Sequence, residues 1–164
     1  MRTSVVALLI VVSGAQACER SRLTAPSGAP VSLSGDWVVQ LLEIVPVDTL
    51  AAPCTAAQMR LSMVDDGGLL SGSYTGFGRV FCHTGGLVGV SDTVELPDGP
   101  LSGTVQTPST DPGQVGLRVD IGRPPNGYLA GTERAGSFYG DGIITVRRTS
   151  GEPVSVRITW HAFK

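Results

Sequence analysis

Three glycine-centred segments recur along the chain: Gly68-Leu69-Leu70-Ser71-Gly72-Ser73, Gly99-Pro100-Leu101-Ser102-Gly103-Thr104 and Gly127-Tyr128-Leu129-Ala130-Gly131-Thr132. Each places a turn residue ahead of an apolar side chain, then a second glycine, then a β-compatible Ser or Thr. A glycine inside a strand marks a kink or the close approach of another backbone. Recurrence at a spacing of about thirty residues predicts a meandering antiparallel sheet of similar hairpins. Such a pattern constrains shape and leaves chemistry open.

The remaining sequence follows the same rhythm. Val115, Leu117, Val119 and Ile121 alternate with polar residues or glycine, as do Val154, Val156, Ile158 and Trp160, and both segments read as half-buried strands. Asp65-Asp66-Gly67-Gly68, Asp98-Gly99, Asn126-Gly127 and Ser150-Gly151 supply turn chemistry. Asp48 to Gln58 contains Pro53 and lacks an apolar stripe, so it reads as a loop with at most one helical turn. The expected strands are 36–45, 57–65, 69–77, 86–96, 100–107, 114–122, 127–134, 138–148 and 153–163. They predict an all-β fold: an up-and-down antiparallel meander barrel of eight or nine strands, with a two-sheet β-sandwich as the alternative.

Ahead of this domain lies a different kind of segment. Arg2 precedes the apolar run Val5-Val6-Ala7-Leu8-Leu9-Ile10-Val11-Val12, which is too short to span a bilayer as a stable helix. Residues 1–17 therefore read as an export signal. The sequence then continues Ala15-Gln16-Ala17-Cys18. Cleavage after Ala17 suits ordinary secretion, and a small residue directly before cysteine also resembles the lipobox of bacterial lipoproteins. That resemblance implies that Cys18 becomes the lipid-bearing first residue of an envelope lipoprotein, with its membrane contact made through the lipid. The alternative is a secreted or soluble periplasmic protein.

The other cysteines are Cys54 and Cys82, and an exported chain tends to pair its cysteines. With Cys18 lipidated, Cys54 and Cys82 form one bridge and no thiol is left over. Residues 18–33, rich in Pro, Ser and Ala and without hydrophobic period, read as a flexible tether, leaving 34–164 as one domain. Removing Arg2 from the 12 basic residues leaves 11 against 14 acidic ones. Neither this balance nor the scattered arginines suggests a nucleic-acid partner.

Gly35-Asp36-Trp37 resembles the Gly-x-Trp opening of lipocalins and avidins, and Leu70-Ser71-Gly72-Ser73-Tyr74 resembles the Leu-Thr-Gly-x-Tyr segment of avidins. The resemblance implies a calycin-type barrel. Tyr74 matches a biotin-contact type, but Val39 stands where avidins place an asparagine, so biotin is not implied. Trp37 and Trp160 fit inward positions at one end of the barrel, and with Tyr74 they form the candidate ligand-binding set.

Reactive constellations are scarce. His83 beside Cys82 and the distant His161 lack zinc-ligand spacing. Asp65-Asp66 suits a hairpin turn better than acid–base work. Ser71 and Ser102 lack the flanking glycines of a nucleophile elbow, and no glycine-rich loop precedes a helix. No cofactor, metal or catalytic residue is expected, and the chain does not read as an enzyme. Two functions remain: a lipid-anchored envelope binding module holding a small apolar ligand in its barrel, and a structural or protein-interaction lipoprotein with a filled barrel.

Overall fold

The structure is a computed structural model and describes residues 32–47, 53–83, 92–106, 114–122 and 126–164. The expected export signal (1–17), most of the expected tether including Cys18, and the start of the expected strand 86–96 lie outside the described residues.

Ten strands follow one another: β1 (Gly35–Pro46), β2 (Ala57–Asp66), β3 (Leu69–Thr75), β4 (Phe77–Cys82), β5 (Asp92–Leu96), β6 (Gly99–Gln106), β7 (Gly116–Ile121), β8 (Gly127–Arg134), β9 (Ser137–Arg148) and β10 (Pro153–Phe163). Eight of them pair antiparallel in the order β1-β2-β3-β6-β7-β8-β9-β10, and β10 pairs back onto β1. The meander is thus a closed barrel, which leaves those eight strands no free edge. No helix occurs among the described residues.

Two differences from the sequence reading have one cause. The expected strand 69–77 is two strands, because the chain leaves the barrel at Gly76. The Gly76 N–H donates to Asp98 Oδ1 at 2.9 Å, and a Cβ there would lie 1.8 Å from the carbonyl oxygen of Leu96. Only glycine allows the entry and exit of the excursion to pass this closely. The segment 77–82, which alternation alone did not mark, then forms β4 and pairs with β5. β5 in turn joins the end of β9 through Val94↔Arg148 and Glu95↔Arg147. The β4–β5 hairpin therefore spans the barrel mouth, and Phe77, Val80, Val94 and Leu96 are buried in one core with the barrel residues.

The recurrent glycines work as the sequence pattern implies. Leu70 pairs with Gly103, and Gly72 with Leu101. On the other side of the barrel Leu129 pairs with Gly142, and Gly131 with Gly140. In three of these pairs a large inward side chain faces a glycine, and in the fourth two glycines leave room for Trp160 of β10. A Cβ at Gly72, Gly103 or Gly131 would lie 2.0, 2.2 or 2.6 Å from a carbonyl oxygen of the adjacent strand. The strands approach closely because nothing projects between them.

Leu33, which composition assigns to the tether, belongs to the core and is fully buried. Its N–H donates to Asp65 Oδ2 at 3.1 Å, and Asp65 Oδ1 accepts from the Gly68 N–H at 2.9 Å. Asp65 thus fixes the hairpin and docks the incoming chain. A short apolar residue among polar neighbours gives no periodic signal, which is why composition missed it.

Candidate functional site

The inward faces of β1, β2, β7 and β10 carry buried apolar side chains at alternate positions, and on β3, β6, β8 and β9 glycines take some of those places. Trp37 on β1 points in, and its indole N–H donates to the Leu33 carbonyl at 2.9 Å. Its ring meets Phe138 edge-on at 5.5 Å. The Lys164 ammonium lies 5.0 Å from the Trp37 ring centre and donates to the Ser34 carbonyl at 3.0 Å. Leu33, Trp37 and Phe138 thus plug the end where β1 begins.

Trp160 stands in the adjoining layer. It pairs with Leu41 on one side and Gly140 on the other. Its benzene-ring carbons lie 2.7 and 2.8 Å from where a Gly131 Cβ would be, so the indole lies over Gly140 and Gly131. The two glycines provide the volume that the indole fills. The indole N–H donates to the Asp141 carbonyl at 3.1 Å, which satisfies the polar handle of an otherwise apolar ring.

Tyr74 shares a cross-strand row with Trp37, because both pair with Leu61. It stands at the strand end from which the β4–β5 hairpin departs and helps line a depression of about 230 Å³ with Leu96, Pro97, Asn126 and Thr145. Burial, and secondarily the negative charge of Asp98, raise the Tyr74 pKa above its usual 10.0. The three aromatic residues chosen from sequence therefore do not converge on one cavity. Trp37 packs one end, Trp160 fills the layer next to it, and Tyr74 underlies the hairpin that covers the other mouth.

Cys54 and Cys82 are bridged, with a sequence separation of 28. The Cys54 N–H donates to the Ile44 carbonyl at 2.7 Å, and the Thr55 N–H to the Phe81 carbonyl at 2.8 Å. The bridge fastens the β4–β5 hairpin to the β1–β2 connection across the mouth. An ion pair between Arg148 and Asp92, at 3.1 Å, holds the hairpin from the β9 side.

A cavity lined by inward side chains would leave those side chains open to a water-sized sphere. Val39, Leu41, Val119, Ile144 and Val156 are instead fully buried. The middle of the barrel is packed as a core. The notable concavity, about 1060 Å³, lies outside the barrel over β8 and β9, lined by Tyr128, Ala130, Thr132, Tyr139, Asp141 and Ile143, with Arg157 of β10 beside them. Sequence reasoning passed over these residues. Their signal was the alternation Tyr139-Gly140-Asp141-Gly142-Ile143, in which glycines face in and functional groups face out, but the face is unreadable until register is known.

His161 faces outward and stacks on Tyr139, with ring centres 4.2 Å apart and planes 5° from parallel. Among the described residues no group of three or more His, Cys, Asp or Glu is arranged to hold a metal ion. No family model matches the chain, and neither a curated protein nor a solved structure matches it.

Proposed function

We propose that this chain is an exported envelope lipoprotein, anchored through Cys18, whose barrel is a solid support that works through its outer surface. The observation that carries this reading is the packed interior. One end is filled by Leu33, Trp37 and Phe138, the centre by Trp160 and its aliphatic neighbours, and the other mouth is covered by a disulfide-fastened hairpin. An apolar ligand of drug-like size needs a volume on the order of 300 Å³ or more within the barrel. Here that volume is occupied by side chains.

The disulfide supports export, since such bonds persist in oxidising compartments. The residues before Leu33 offer a leash between lipid and barrel, and the plugged end is where that leash would enter. Metabolic labelling with a fatty acid should depend on Cys18, and a Cys18→Ser chain that labels equally would sink the anchor. Native mass spectrometry of protein taken from its own membrane should give the mass of the chain and its lipid alone. A retained small molecule that leaves only on unfolding would instead favour the ligand-carrying barrel.

A further inference from the structure

The outer concavity has the chemistry of a carbohydrate site, and we propose that it binds a neutral oligosaccharide. This rests on the reading of the barrel as a surface-acting support and names the ligand class of that surface.

Three cross-strand rows build the concavity. Tyr128 pairs with Ile143, Ala130 with Asp141, and Thr132 with Tyr139. The first and third rows carry the bulky apolar groups and are four residues apart, about 13 Å along the strand at its usual rise. The middle row carries a methyl group and a carboxylate, so the surface dips between two raised rims. Tyr139 is 42 % exposed and Ile143 37 %, leaving apolar faces open to solvent. His161 covers one face of the Tyr139 ring and holds its orientation. Arg118 lies 4.4 Å from the Tyr128 ring centre and is ion-paired with Asp120 at 3.3 Å, which holds the other rim.

A sugar ring matches this pattern, because it has an apolar C–H face and an equatorial rim of hydroxyls. The C–H faces lie on Tyr139, Tyr128 and Ile143, and the hydroxyls reach Asp141, Arg157 and Thr132. Asp141 Oδ1 accepts from the Thr159 hydroxyl at 3.2 Å, and a carboxylate has further acceptor positions for neighbouring hydroxyls. The volume lies at the upper end of the range for small-ligand sites, so more than one ring fits.

Other ligand classes fit less well. An acyl chain would strip water from Asp141 and Arg157 without replacing their hydrogen bonds. A polyanion would meet the Asp141 carboxylate at the floor.

The test uses the full chain with tetrasaccharides of β-1,4-glucose, α-1,4-glucose and β-1,4-N-acetylglucosamine, read by calorimetry and by NMR shifts. At least one should bind, with shifts centred on Tyr128, Ala130, Tyr139 and Ile143. Tyr139→Ala and Asp141→Asn should each weaken binding about tenfold or more, while Ser71→Ala, on a different outer face, leaves it within about twofold. Matched thermal melts separate loss of binding from loss of fold. Absence of binding by all three sugars at millimolar concentration overturns the proposal. So does binding that the two variants leave intact, or shifts of these residues with decanoate or with a protein partner and not with sugar. None of these results bears on Cys18 labelling or on the packed interior.

Discussion

Gly103→Ala isolates the steric role of the recurrent glycines. Gly103 has no positive φ, so alanine meets no backbone penalty of its own there. Its Cβ would nevertheless lie 2.2 Å from the Arg118 carbonyl oxygen and 3.0 Å from the Val119 Cα, both on β7. Backbone cannot rotate out of the way as a side-chain tip can, so β6 and β7 must part by roughly 1 Å to restore ordinary contact distance. Overpacking of this kind costs roughly 1–3 kcal/mol, and each ladder hydrogen bond stretched out of range adds about 1 kcal/mol. The expected loss is therefore about 3 kcal/mol, a large share of a domain's net stability. The control is Gly78→Ala. Gly78 also lacks a positive φ, and an added Cβ there meets nothing within 4 Å. That change should be neutral or stabilise by up to about 1 kcal/mol through the unfolded chain. Urea unfolding with the disulfide intact, followed by the fluorescence of buried Trp37 and Trp160, reports both variants. A Gly103→Ala protein within about 0.5 kcal/mol of the parent would refute the close-approach argument.

Further perturbations probe the cap, the core and the buried phenol. Replacing both Cys54 and Cys82 by serine opens a loop of 28 residues' separation and should cost roughly 3–4 kcal/mol, seen as a lower urea midpoint that reductant no longer changes. Trp160→Ala should cost roughly 3–5 kcal/mol, because Gly131 and Gly140 leave a space that no neighbouring side chain can refill; a loss under about 1 kcal/mol would mean the barrel is not packed around the indole. The raised Tyr74 pKa means the folded state favours the neutral phenol. The stability this contributes is whole below the unfolded value of 10.0 and is lost as pH rises through the higher folded value. Urea midpoints across that range should fall less steeply for Tyr74→Phe than for the parent, and identical slopes would exclude Tyr74 as a source of alkaline instability.

The sequence by itself determined the all-β class and the near-complete set of strand positions, because each is written in local code, while the Cys54–Cys82 pairing followed from the count of cysteines. Alternation at period two marks strands, Asp-Gly and Asn-Gly steps mark turns, and a strand-interior glycine marks a neighbour too close for a Cβ. Trp37 and Trp160 were legible as inward residues through parity alone. What only the tertiary structure decided depends on contacts between residues far apart in the chain. The exit at Gly76 is set by Leu96 and Asp98, some twenty residues on, so the β4–β5 hairpin and its closure of the mouth carry no local signature. Whether glycines make a hollow or a close-packed interior is likewise a question of what stands opposite. Gly131 and Gly140 could have lined a cavity, but register places them under Trp160, whose indole occupies the space. The outer concavity has the same origin. Tyr128, Tyr139, Asp141 and Ile143 become one surface only when β8 and β9 pair in the observed register, and a shift of one residue would have turned each of them into the core.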